Sequence, residues 1–200
     1  MSSDAGPAQP LRVAFVPGVT PDKWARRWAE RRPRSQLELF PVAESDQTTV
    51  LYDGRADMSF VRLPVDDERL HVIPLYSEVP VVVAPKGHFV EAADEVTLAD
   101  LADERVHAVP PLTVKEAVET VAAGVGIIVV PMSVARLHHR KDVVHRPVTD
   151  APETRIGLAW RRNLQDERIE TFIGVVRGRS VNSSRGTVAP PKARKGRRRR

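Results

Sequence analysis

Residues 113–131, TVKEAVETVAAGVGIIVVP, constrain the fold more than any other stretch of this chain. Thr113 followed three residues later by Glu116 is a capping box, in which each side chain satisfies an amide that the helix start leaves without a partner. Val114, Ala117, Val118, Val121 and Ala122 then fall on one helical stripe, and Gly124 suits the left-handed residue that closes a helix. Residues 127–130 are continuously apolar and β-branched. They read as a buried parallel strand, ended by Pro131. Helix, glycine turn and buried strand together make half of an α/β unit.

A second copy of this pattern lies upstream, where residues 50–54 read as the end of a short helix closing on Gly54 and residues 55–61 as a turn and a strand. Two such units predict two small α/β lobes, which bind ligands where the carboxyl ends of their parallel strands face a crevice. A hydrophobic share of 42% in 200 residues supports a true core, and the absence of cysteine excludes disulfides, thiolate nucleophiles and cysteine-ligated zinc. Residues 1–10 lack the basic start and apolar core of a signal peptide, and no apolar run reaches the length of a membrane span. The reading is a cytoplasmic protein with no membrane partner.

Charge is divided unevenly. Nine basic residues and no acidic one lie from Arg179 onward, so the preceding part of the chain carries about −4 of a formal +5. The body is therefore a poor candidate for gripping phosphates. The tail is different: Lys192, Arg194, Lys195, Arg197, Arg198, Arg199 and Arg200 can release counterions from a phosphate backbone, giving salt-sensitive binding without sequence readout. No aromatic residue interleaves them, so base stacking is not expected.

Along the chain, residues 1–10 are a leader expected to be disordered, and residues 11–16 alternate like a strand. Thr20, Pro21 and Asp22 predict a helix start with Thr20 as cap, and Trp24 and Trp28 lie one turn apart on that helix. Strands follow at 37–40 and 58–61, then two extended segments at 71–76 and 79–84, the second crossing between lobes. Thr97 and Asp100 form another capping box, predicting a short helix to about Ala102. Residues 106–109 read as a strand, 133–138 as a short helix, and 143–146 and 155–160 as strands. Asp166 caps a last helix with Ile169, Phe172, Ile173 and Val176 on one face. Residues 179–200 are expected to be disordered.

In this order the segments resemble the effector-binding (substrate-binding) domain of LysR-type transcriptional regulators. The resemblance rests on LRVAFVPG at 11–18, DGRADMSFVR at 53–62, VVVAPKGH at 81–88, TLADL at 97–101, VAAGVGIIVVP at 121–131 and the late strand–helix pair, and it covers most of residues 11–178. It implies a periplasmic-binding-protein-like α/β fold with two Rossmann-like lobes around a central cleft. Lobe I takes in about residues 11–80 and 155–178 and lobe II about 81–150, with crossovers at 79–84 and about 148–156. The family has a further helix and strand before the helix at Val114, for which this sequence has no residues, so the second lobe is expected to be shortened. The ten residues before Leu11 are too few for the family's winged helix-turn-helix and linker helix.

The resemblance thus implies a module that senses a small, anionic metabolite and acts through a partner, as a homodimer or as a heterodimer with a LysR-type regulator. Only part of the Trp24 and Trp28 surface is expected to face the protein's own core, leaving the rest for such a partner. The alternative is a nucleic-acid-associated protein that binds through its tail, with the α/β body as scaffold. A transport solute-binding protein would share the fold but need an export signal. No catalytic set is visible, so an enzyme is not expected.

The family places a Ser or Thr of its effector site near Thr20, where helix-start amides and a hydroxyl suit a carboxylate; a plain cap is the alternative. Ser45 lies where the family contributes a second hydroxyl, and it equally serves as a loop cap. Arg62 follows a strand, as an ion partner for the effector or as a surface salt bridge. Pro110, Pro111 and Thr113 are expected on the opposite wall. Gly124 and Gly126 follow a helix and lack a Walker lysine, which rejects a nucleotide site. His138 and His139 point to different sides beside Arg140 and Lys141, which would repel a metal. No cofactor or metal is expected.

Overall fold

The computed structural model describes residues 9–178; the first eight residues and the basic tail, with its seven terminal lysines and arginines, lie outside them. The elements run β1 (Leu11–Phe15), α1 (Asp22–Arg31), β2 (Leu37–Pro41), α2 (Thr49–Tyr52), β3 (Met58–Leu63), β4 (Leu70–Glu78), β5 (Pro80–Pro85), α3 (Val114–Ala122), β6 (Ile128–Pro131), α4 (Met132–Leu137), β7 (Val143–Pro147), β8 (Thr154–Arg161) and α5 (Glu167–Val176). They form a five-stranded sheet, β2-β1-β3-β8-β4, and a three-stranded sheet, β6-β5-β7. The chain leaves the first sheet through Val79 and returns through residues 148–153. The second body is the smaller.

In the first sheet β1 pairs parallel with β2 and β3, while β8 runs antiparallel between β3 and β4. One face buries Leu11, Val13, Met58, Phe60, Ile156 and Leu158 under α1 and α5; the other packs Ala14, Val61 and Ala159 against Val50 and Leu51 of α2. Trp24 stacks on Phe60 with centroids 4.6 Å apart, and Phe172 meets both Phe60 and Trp28 edge-on. Trp24 and Trp28 are 3% and 1% exposed. Both rings therefore belong to this lobe's own core and leave no surface for a partner.

In the second sheet all four of Val81, Val82, Val83 and Ala84 are buried, because β5 is covered on both faces. The capping box at Thr113 forms as read, with the Thr113 hydroxyl accepting from the Glu116 amide and the Glu116 carboxylate accepting from the Thr113 amide. Four readings change. The strand after Gly126 is not parallel to its neighbour: β6 pairs antiparallel with β5. β5 enters this lobe from the crossover and runs away from it, so a strand returning to the crossover must oppose it. Residues 106–109 do not form a strand; Val106 makes a single parallel bridge to Ile127.

Residues 97–102 form turns, not a helix. Thr97 and Asp100 exchange their capping bonds, but the bonds that follow span three residues, and Leu101 is the buried apolar side chain there. Without a stripe to bury, the helix has nothing to hold it. Finally, Thr20 does not cap α1: the cap residue is Pro21, whose carbonyl accepts from Trp24 and Ala25, and no side chain bonds the first turn.

Candidate functional site

The topology brings functional candidates to one end of the first sheet. β4 and β3 both oppose β8, so β1, β2, β3 and β4 all end, and β8 begins, on the side where the chain crosses to the second lobe. Crevices outside the carboxyl ends of strands are where open α/β sheets bind ligands. Thr20 follows β1, Ser45 follows β2, Arg62 lies near the end of β3, Glu78 ends β4 and Thr154 opens β8.

Arg62 is the centre of this seam. It is 7% exposed and Glu78 is 5% exposed. The Arg62 Nε donates to Glu78 Oε2 at 2.8 Å and Nη2 to Oε1 at 3.3 Å, a forked pair. Nη2 also donates to the Pro17 carbonyl at 2.9 Å, and Nη1 donates to the Glu44 carboxylate. Gln47 holds the Arg62 backbone from both sides, accepting from its amide at 2.7 Å and donating to its carbonyl at 3.2 Å. Arg62 is thus no surface salt bridge.

Glu78 ties in the second lobe. Ser133, at the start of α4, donates its hydroxyl to Glu78 Oε1 at 2.6 Å, and Thr154 donates to Oε2 at 2.9 Å. Burial pushes the Glu78 carboxyl up, but hydrogen bonds from Arg62, Ser133 and Thr154 and the Arg62 charge outweigh it and hold it below the usual range. Burial likewise works against the Arg62 cation, and its two carboxylates reverse the effect. Beside Ser133 the backbone of the β1–α1 loop comes so close that a Cβ on Gly18, at φ +93°, would lie 2.5 Å from the Ser133 hydroxyl. Only glycine fits there.

The other candidates are placed as follows. Thr20 is exposed and its hydroxyl has no partner among the described residues. Ser45 is exposed on the short turn Glu44–Asp46, 3.5 Å from the Asp46 carboxylate. Thr113 and the exposed Pro111 lie at the start of α3 in the second lobe, and the Thr113 hydroxyl both donates to and accepts from Glu116. No hydrogen bond or ion pair among the described residues joins either of them to Thr20, Ser45 or Arg62. Sequence reasoning missed Glu78, Ser133 and Thr154. The one available signal for Glu78 was a carboxylate closing an otherwise sheet-like run just before the crossover.

Two α/β bodies meeting at the ends of their strands, bridged by two crossings, define a periplasmic-binding-protein-like ligand-binding domain. The chain belongs to the LysR substrate-binding family: the family model described as LysR substrate binding domain matches residues 4–114 and 112–180. It is 25% identical over 189 residues to the HTH-type transcriptional regulator AlsR of Bacillus subtilis (strain 168), covering 80% of this chain and 61% of AlsR. With the HTH-type transcriptional regulator CatR of Pseudomonas putida it shares 28% over 175 residues, 73% of this chain and 60% of CatR. The chain therefore spans about three-fifths of the length of these curated relatives.

Among solved structures, the BenM effector binding domain with its effector benzoate superimposes with a TM-score of 0.72 at 22% identity, covering 96% of this chain and 100% of that one. The reduced form of the OxyR regulatory domain from Pseudomonas aeruginosa gives 0.68 at 21% identity, covering 86% and 99%. These likenesses establish the fold. Among the described residues no helix is long and apolar enough to cross a membrane, and no group of three or more metal-ligating side chains occurs.

Proposed function

We propose that this chain senses a small carboxylate-bearing metabolite at the seam between its lobes and acts through a partner as part of a LysR-type regulatory system, as a homodimer or a heterodimer with a related regulator. One observation carries the reading. The outward nitrogen of Arg62 already holds a carboxylate, that of Glu44, whose side chain is 53% exposed, whereas Glu78 beneath it is buried. The group on Glu44's side of the guanidinium is exchangeable and the group on Glu78's side is not. A ligand carboxylate of the same charge and geometry takes the place of Glu44 without leaving Arg62 unpaired. Thr20, with an unoccupied hydroxyl at the same end of the sheet, supplies a second donor, and Ser45 swings with Glu44.

A thermal-shift screen of the full chain against organic acids and amino acids tests this, since a ligand selective for the folded state raises the melting temperature. Hits are expected to contain a carboxylate and to bind more tightly to Glu44→Gln, which frees Arg62. Thr20→Ala is expected to weaken them by about 1 kcal/mol, and Thr97→Ala, a turn in the second lobe, is expected to leave them unchanged. Affinity that is indifferent to Glu44 and Thr20 alike sinks this assignment.

A further inference from the structure

At the opposite pole of the first lobe, far from the seam, Tyr52, Arg69, Arg161, Arg162 and Asn163 line a pocket of about 350 Å³. The seam uses the carboxyl end of β4 and the start of β8; this pocket uses the start of β4 and the end of β8, so the two sites are the length of the sheet apart. Among the described residues, three arginines and no carboxylate line it. One of the three is neutralised. Arg69 forks onto Asp67 through Nε and Nη2, both at 3.0 Å, and lies 4.5 Å over the Tyr52 ring, while the Tyr52 hydroxyl donates to Asp67 at 2.6 Å. That triad is a finished wall.

The other two are not neutralised. Arg161 and the Asn163 amide have no side-chain partner among the described residues, and Arg162 uses only Nε, which donates to the Leu70 carbonyl at 3.1 Å. The backbone presenting them is fixed: Arg162 donates to the Arg69 carbonyl at 2.9 Å, and Leu164 donates back to Arg161 at 3.1 Å, closing a turn. Two guanidiniums without a carboxylate partner among the described residues and an amide therefore line one pocket from a hydrogen-bonded turn. Their mutual repulsion is relieved by an anion that both can touch. A carboxylate has two oxygens and satisfies one fork; a phosphoryl group has three terminal oxygens and a second charge, enough for two forks and an amide. We propose that this pocket binds the phosphoryl group of a phosphate monoester, with Arg161 and Arg162 as its charged ligands and Asn163 as the neutral donor.

The ester is a small phosphorylated metabolite packed against Tyr52; a nucleic-acid backbone phosphate is a diester with two terminal oxygens and one charge, no better matched than a carboxylate, and the test separates the two. Phenyl phosphate is titrated into the isotope-labelled full chain while the Asn163 side-chain amide resonance is followed, so that binding to the basic tail does not register. A saturable shift is expected, weakened about tenfold in Arg161→Gln and unchanged in Arg155→Gln, which removes the same charge from the other end of β8. Arg162→Gln should weaken binding similarly, with the remaining resonances confirming the fold. A shift that never saturates, or an equal loss in Arg155→Gln, overturns the proposal. With saturable binding in hand, displacement by diphenyl phosphate or a duplex oligonucleotide, both diesters, at the same concentration overturns the monoester assignment, and failure of both to displace supports it.

Discussion

The two lobes share a plan and differ in what fills them. The first is built around rings: Trp24, Phe60, Phe172 and Trp28 form a continuous chain of stacked and edge-on contacts, and Trp160 closes the same core. The second buries only Val, Ile, Leu and Ala, in two thin layers on either side of β5. A buried ring carries more contact area than a small aliphatic side chain, so its loss leaves the larger cavity. The first lobe is thus a heavier base and the second a lighter flap, and the buried ion pair lies where the chain crosses between them. Substitutions in the two cores should therefore differ in size.

The largest loss is expected from Phe60→Ala. Phe60 touches both Trp24 and Phe172, and its removal leaves a cavity between those rings, so about 3–5 kcal/mol of stability should disappear. Val118→Ala, in the α3 layer of the flap, should cost only about 1–2 kcal/mol. Urea unfolding followed by circular dichroism measures both. Equal losses would mean that the flap is packed as tightly as the base.

Next in size is Glu78→Gln. It leaves Arg62 buried with one carboxylate, Glu44, and weakens the acceptor of Ser133 and Thr154. A loss of about 2–3 kcal/mol is expected, below that of a wholly abandoned buried charge because Glu44 remains. Ser133→Ala should cost less, yet loosen the flap specifically, seen as faster amide exchange in α4 with the first sheet unchanged. Loosening spread evenly over both lobes would break the assignment of this bond to the seam between them.

Which of these features the sequence discloses depends on how far apart their partners lie. The capping box of α3 needs four consecutive residues, and it is legible. The helix–glycine–strand units and the six ordered segments are local too, and they define the architecture. The Arg62–Glu78 pair is 16 residues apart and becomes a contact only once β8 is known to lie between β3 and β4. Ser133 reaches Glu78 across 55 residues and two sheets. Thr20 was locatable but not its bonding, because Pro21 takes the cap position. The direction of β6 was hidden for the same reason as the ion pair: a strand's apolar run states that it is buried, not which way its neighbour points.

Acid should separate the lobes more gently. Burial holds the imidazoles of His138 and His145 below their usual range, with Lys115 adding to the effect at His138 and Arg136 and Arg146 at His145. Their stabilisation is complete above the unfolded value near 6.5 and is lost as the pH falls through the lower folded values. Glu78 is also depressed, so its contribution is complete above about 4.3 and fades below that. Between about pH 6.5 and 4.5 the flap should loosen while the base holds. All three tryptophans lie in the base, so the wavelength of their emission maximum should stay constant over that range, whereas intensity also reports the His71 ring 5.3 Å from Trp160. Amide exchange in α4 and β7, corrected for its intrinsic rate, should rise. An emission maximum that moves together with exchange would show that the lobes unfold as one.

The smallest effect tests the base itself. Ser59, in the middle of β3, is fully buried, and its hydroxyl has no hydrogen-bond partner among the described residues. Its strand neighbours are Ala14 on β1 and Ala159 on β8, both small and apolar, so nothing beside it offers an acceptor. A buried hydroxyl left unpaired is destabilising by roughly 1–3 kcal/mol relative to a paired one, whereas a methyl group fits the same site with no polar atom to satisfy. Ser59→Ala should consequently be neutral or raise stability by up to about 1 kcal/mol, the opposite sign to every other substitution in the base. If it destabilises instead, the hydroxyl has a partner in solution, such as a buried water between the sheet and α2, and the face of the base toward α2 is less dry than its aliphatic lining implies.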